Sequence, residues 1–288
     1  MNRSLLAAAV AISGLISLPT WASPQLIWEL DGLEAPESAL ADPEAGVIYV
    51  SNVAGDPSAK DGNGYISRVA LDGKMLEQRW AIGLDAPKGL ILRGDTLFVS
   101  DVDRLVAIDT ATGKIDGTWT AEGAKFLNDT AVDGQGRIYV SDMLDDAIWV
   151  LDGDKFQLFV RDKALTAPNG LFVDSGRLLV AAWGTMEPDW STKVPGHLLA
   201  VDLASKKIAS ASDGTPIGNL DGLEPDGNGG WLTTDWISGG LIRIDANGRA
   251  EKLAPLAPGS ADLGILPDEK LVLVPMMNDN KLSAYRLE

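Results

Sequence analysis

Six polar residues recur at matching points of a repeated sequence: Glu37, Lys88, Asn128, Asn169, Asp221 and Asp262. Their spacings are 51, 40, 41, 52 and 41 residues. Glu37, Asn128, Asn169 and Asp221 are hard oxygen donors with two negative charges among the four. That set suits Ca2+, which takes about 6–8 oxygens and completes its shell with water. Lys88 adds an ammonium that could hold an anionic substrate group or pair with Asp85 or Asp262. Asp262 is a further possible ligand or base. Any one of these residues alone reads as a strand-start cap or turn former. Their common phase is what suggests a site.

Composition limits the chemistry. There is no cysteine, so disulfides, thiolate nucleophiles, Fe–S clusters and Cys-based zinc sites are excluded. The single histidine, His197, rules out a His-rich metal centre, and any Ser-His-Asp triad would have to run through it. A net charge of −17 argues against nucleic acid or an anionic membrane as partner. No phosphate-binding G-x-x-x-x-G-K-[ST] run occurs.

Residues 1–22 read as a secretory signal peptide. Arg3 supplies a basic start, Leu5 to Leu18 an apolar run, and Thr20-Trp21-Ala22 small residues flanking a cut. The apolar run is too short to span a bilayer comfortably. The expectation is an exported chain, periplasmic or secreted, with no stable membrane insertion after cleavage and a single domain over 23–288.

The elements that must position the six residues are strands. The copies ESALADPEAGVIYVSNV, KGLILRGDTLFVSDV, NDTAVDGQGRIYVSDM, NGLFVDSGRLLVAAW, DGLEPDGNGGWLTTDW and DLGILPDEKLVLVPMM each read as a hairpin. A third strand follows each, among them RLVAIDTATG and HLLAVDLASK, and five copies carry a fourth. The sixth copy ends after its third strand, and QLIWELDG near the N-terminus can supply the missing one. The fold expected is all-β: a six-bladed β-propeller of four-stranded antiparallel blades, its ring closed by the N-terminal strand. The first strand of each blade lines a central channel, so the six phased residues meet at one mouth.

On these motifs the chain resembles the gluconolactonase/regucalcin-like propellers over essentially its whole mature length. Glu37 in APES, Asn169 in APNGL and Asp221 in LDGL match the family's metal ligands. Asn128-Asp129 in LNDT match its Asn-Asp pair, implying a metal or substrate role for Asn128. The resemblance implies a Ca2+ cofactor, with Mg2+, Mn2+ or Zn2+ as other possibilities, and a hydrolase of lactones or esters. It points to Asp221 as base, with Asp129 as the alternative behind it. Where sugar-lactone relatives usually carry Arg, this chain has Phe126, which favours a more apolar substrate. The first motif also departs, reading E-S where E-G-P is usual.

Trp183, Trp190 and Trp236 could wall the pocket or seal blade interfaces. Lys88, Phe126, Asn128, Trp183 and Asp262 are the candidate substrate contacts. Met276 and Met277 read as rim or packing residues. By the repeat phase His197 should lie away from the channel top, as a structural or surface residue. Loops 54–63 and 184–195 could form a lid or a docking surface. A neutral lactone or ester is the expected partner, since the acidic surface disfavours anions at long range; a phosphotriester could use the same geometry. The rival reading is a non-catalytic ligand- or protein-binding propeller with a structural calcium.

Overall fold

The computed structural model describes residues 24–187, 189 and 191–287. The leader expected over 1–22 therefore lies outside the described residues, as does Trp190. No helix among the described residues is long and apolar enough to cross a membrane.

The architecture is a six-bladed β-propeller of four-stranded antiparallel sheets. The inner strands are Pro36–Asp42, Pro87–Arg93, Leu127–Val132, Pro168–Asp174, Leu220–Pro225 and Gly264–Leu266. In blade four a two-stranded ribbon, Gly184–Met186 with Thr192–Pro195, interrupts the blade before its third strand. Blade six is completed by Gln25–Asp31, which pairs antiparallel with Lys281–Arg286. Satisfying that strand's polar backbone groups joins the two ends of the chain and removes an open sheet edge.

The core is divided by the ring. Between each neighbouring pair of blades lies a cluster of buried aliphatic and aromatic side chains. Alternating Ile, Val, Leu and Tyr in runs such as VIYVSN and IYVSD give each second strand two apolar faces, one for each neighbouring blade. The segment carrying Trp28 closes the ring by packing between blades six and one.

Inner strands begin at one face of the ring, and the turns joining second to third strands lie on that same face. Loop 53–63 and the ribbon of blade four therefore border the channel mouth; the segment 184–195 expected as a loop is in part this ribbon.

Candidate metal centre and active site

Each phased residue of blades one to five sits on a β-bulge. Pairing of the first two strands breaks between Pro36 and Ala39, Pro87 and Leu90, Leu127 and Thr130, Pro168 and Leu171, and Leu220 and Leu223. Those gaps hold Glu37, Lys88, Asn128, Asn169 and Asp221. A bulge releases its residues from the ladder and re-aims a side chain, which turns five strand starts toward the channel. The glycines after Asn169 and Asp221 serve close approach. A Cβ on Gly170 would run into the carbonyl of Asp221, and one on Gly222 into the backbone of Leu263.

In blades one and three a serine of the second strand holds the bulge. The Oγ of Ser51 accepts from the Ser38 N–H at 2.9 Å, and that of Ser141 from the Asp129 N–H at 2.8 Å. The next residue fixes the loop entering the inner strand. Asp101 accepts from the N–H groups of Asp85 and Ala86 at 3.0 and 2.8 Å, and Asp142 from that of Phe126 at 2.9 Å. These positioning residues went unread in the sequence, although the repeated VSN and VSD were the signal.

The ring brings Glu37, Lys88, Asn128, Asn169, Asp221 and Asp262 together, all buried. Three oxygens stand out: Oε2 of Glu37, Oδ1 of Asn169 and Oδ1 of Asp221 are buried and accept from no protein donor. Burial raises the Glu37 carboxyl well above the usual range, helped by repulsion from Asp221 and Asp262 and opposed by Lys88. Burial likewise raises Asp221, with Asp262 and Asp129 adding repulsion and a hydrogen bond from Asn169 opposing it. Unpartnered carboxylate oxygens in a desolvated cradle are costly without a counter-charge, so the donor chemistry fits a cation. No group of three or more His, Cys, Asp or Glu is arranged around a metal position among the described residues. The cradle consists instead of two carboxylates supplemented by amide oxygen.

Asn128 faces the same mouth, its Nδ2 directed at the Met143 sulfur at 3.8 Å. Asp129 lies deeper. Its Oδ1 accepts from the Thr130 N–H at 2.6 Å and its Oδ2 from the Leu171 N–H at 2.5 Å. Asp262 also turns inward, accepting from the Ser38 hydroxyl at 2.6 Å. With Glu224 these two carboxylates line an inner chamber of about 220 Å³ below the mouth. Burial raises Asp262 to about 7, against the Ser38 hydrogen bond. Burial and the neighbouring Asp262 raise Glu224 to about 8. Nothing in the repeat phase singled out Glu224.

Lys88 departs from the sequence expectation of a pair with Asp85 or Asp262. Its Nζ donates to the carbonyls of Pro57 and Ala86 at 2.9 and 3.0 Å and lies 4.3 Å from the centre of the Phe126 ring. Asp85 pairs with Arg104 instead, at 3.1 Å. The backbone carbonyls fasten loop 53–63 to the channel wall through Lys88. Burial pulls the Lys88 ammonium down to about 8, against the attraction of Glu37, Asp101 and Asp56.

Over the mouth, Phe126, Met143, Ala167 and Trp183 form one buried cluster with Leu144, Met186 and Trp236 against it. Trp183 and Trp236 follow the second strands of blades four and five and meet at 5.9 Å between ring centres, so their contact joins the two blades within the wall of the mouth. Met277 packs beside the mouth and Met276 between blades five and six. Against the expectation that it lies away from the channel top, His197 flanks the mouth end of blade four, because the third strand begins on that face; it is two strands out from the channel, its carbonyl accepting from the Ala182 N–H at 3.2 Å. Burial lowers its pKa, while Asp213 acts to raise it.

This ring of four-stranded blades has known counterparts. Gluconolactonase propellers share this fold. A gluconolactonase from Xanthomonas campestris superimposes with a TM-score of 0.68 at 15% identity, covering 92% of this chain and 95% of that one. A streptogramin B lyase gives 0.65 at 13% identity, covering 94% of this chain and 100% of that one. A virginiamycin B lyase from Staphylococcus aureus gives 0.61 at 13% identity over 91% of this chain and 99% of that one. No protein-family model and no curated protein matches the chain. At these identities the likeness is one of fold, and the expected resemblance to gluconolactonase propellers holds at that level.

Proposed function

We propose that the protein is an exported, calcium-dependent hydrolase of lactones or related esters. The observation that carries this reading is the trio of buried, unpartnered oxygens on Glu37, Asn169 and Asp221 at the channel mouth. These three would hold the cation, with Asn128 beside them as a fourth ligand or a substrate contact. The likeness to a gluconolactonase supports a lactone as substrate class.

Bound there, Ca2+ would supply Lewis acidity to polarise the substrate carbonyl. Asp221 has a free oxygen and, of the two carboxylates the sequence offered, is the better placed to take a proton from water. Both oxygens of Asp129 are engaged by backbone N–H groups, so it orients the wall behind. A carboxylate bound to Ca2+ would be a weak base, so Asp221 would serve as base only through an oxygen not committed to the cation. Phe126 and its neighbours exclude water from the mouth. The net charge of −17 disfavours anionic substrates at long range, which leaves neutral ones.

A lyase reading is less well supported. A catalytically inactive variant of the virginiamycin B lyase carries alanine in place of a histidine. The one histidine here, His197, is two strands from the channel. A non-catalytic calcium-binding propeller is the second reading, favoured by the closure of the mouth, where Asn169 is 1% exposed.

The test pairs metal content with turnover. The chelated protein would receive Ca2+, Mg2+, Mn2+ or Zn2+ separately and be assayed on lactones, aryl esters and phosphotriesters. Turnover restored by Ca2+ and lost in Asp221→Asn is expected. A stabilising metal without turnover would favour the binding propeller, and no metal effect would remove the site.

A further inference from the structure

Trp183 is 8% exposed, and its buried indole Nε1 donates to no protein acceptor. Its backbone is fixed from three sides. The N–H donates to Ala167 at 2.9 Å, and the carbonyl accepts from the Gly196 N–H at 3.1 Å and the Asn219 amide at 3.0 Å. The ring is thus held in the mouth wall with an uncompensated donor, a costly arrangement in a buried place. Trp N–H groups characteristically find an acceptor when buried. The surrounding wall is apolar: Phe126, Met143 and Trp236. It is tied to the candidate site at two points, by the Asn128 amide at the Met143 sulfur and the Lys88 ammonium over the Phe126 ring.

We infer that Trp183 determines substrate choice: its indole N–H donates to an acceptor oxygen on the non-reacting part of a lactone or ester whose apolar group lies against Phe126, Met143 and Trp236. The inference rests on the hydrolase reading above. A polyhydroxylated lactone would leave several hydroxyls facing rings and a thioether, each losing hydrogen bonds to water. A lactone carrying an acyl chain through an amide offers one carbonyl acceptor and one apolar tail. The class assigned is therefore acylated lactones, in preference to sugar lactones.

The experiment uses two γ-lactones of equal length, one with an acylamino side chain and one with a plain alkyl chain, together with their lactam analogues. In the calcium-loaded protein, Trp183→Phe keeps an aromatic ring, smaller than the indole, and removes the N–H. It is expected to raise KM for the acylamino lactone roughly tenfold more than for the alkyl lactone. In the wild-type protein, one indole N–H resonance is expected to move when the acylamino lactam is added and to stay when the alkyl lactam is added. That titration decides the matter even if Trp183→Phe does not fold. Equal losses on both lactones, or no selective shift of any indole resonance, overturn the inference. Turnover without an indole response leaves the hydrolase standing and removes Trp183 from substrate choice. A selective indole shift without turnover of any lactone or ester keeps the Trp183 contact and removes the hydrolase.

Discussion

The hydroxyl of Ser38 donates a 2.6 Å hydrogen bond to the carboxylate of Asp262, across 224 residues of chain. The backbone repeats the link, with the Asp262 N–H donating to the Glu37 carbonyl at 2.9 Å. Blades one and six are therefore stitched beside the candidate metal centre, at the seam where the ring closes. Ser38→Ala would leave a buried carboxylate oxygen without its donor. The expected cost is about 1–3 kcal/mol, read as a lower denaturant midpoint with unchanged slope. This hydrogen bond favours the ionised form of Asp262, whose pKa is about 7, so the loss should be larger at pH 8.5 than at pH 5.5.

Glu37 should trade stability against metal binding. Its carboxyl is held well above its ordinary range by burial and by Asp221 and Asp262. That strain weakens the metal-free fold above the unfolded pKa. Glu37→Gln removes the charge at similar shape, so the metal-free variant should be at least as stable as wild type near pH 8. The same variant should lose the Ca2+-induced rise in melting temperature. In wild type that rise corresponds to about 2.7 kcal/mol at a hundredfold excess over Kd.

Glu224 should impose a pH slope on stability. Burial and Asp262 raise its pKa to about 8 in the folded protein, while the unfolded chain titrates near its ordinary value of 4.5. Between those values the folded state holds a proton that the unfolded state has lost, so stability falls as pH rises and levels off above about 8. Solvent reaching the chamber reduces the effect to on the order of 2 kcal/mol. Chemical denaturation from pH 5 to 9 should show a flatter profile for Glu224→Gln. An unchanged profile would assign the slope to other groups.

Gly170→Ala should break the ring from within. The added Cβ would strike the Asp221 carbonyl, a backbone atom with no side-chain freedom to yield. A loss of more than about 3 kcal/mol is expected, together with loss of Ca2+ binding, because Asn169 and Asp221 would be pushed apart. Gly153→Ala is the control: a Cβ there meets no atom, although its φ of 60° carries a smaller backbone penalty.

Removing residues 24–31 should leave blade six with three strands and an open edge along Lys281–Arg286. It also strips Ile27, Trp28 and Leu30 from the cluster between blades six and one. Loss of cooperative unfolding and concentration-dependent association are expected, visible by scattering and calorimetry.

The sequence by itself determined the ring. Six hairpins in phase, alternating apolar residues and a last copy one strand short specify blades and their closure, because strand periodicity and turn chemistry are local. It also placed Glu37, Asn128, Asn169 and Asp221 at one end of the inner strands, since equal phase in a ring means equal height. Only the tertiary structure decided which way each side chain points. The bulges put Glu37, Asn169 and Asp221 at the mouth, while hydrogen bonds from Ser38, Thr130 and Leu171 draw Asp262 and Asp129 inward. Lys88 took backbone carbonyls and a ring in place of the acidic partners its charge suggested. Glu224 became a chamber residue through strand alternation three positions beyond Asp221. These outcomes depend on contacts between blades dozens to hundreds of residues apart, and in blades one and three on bulges held by Ser51 and Ser141 of the neighbouring strand.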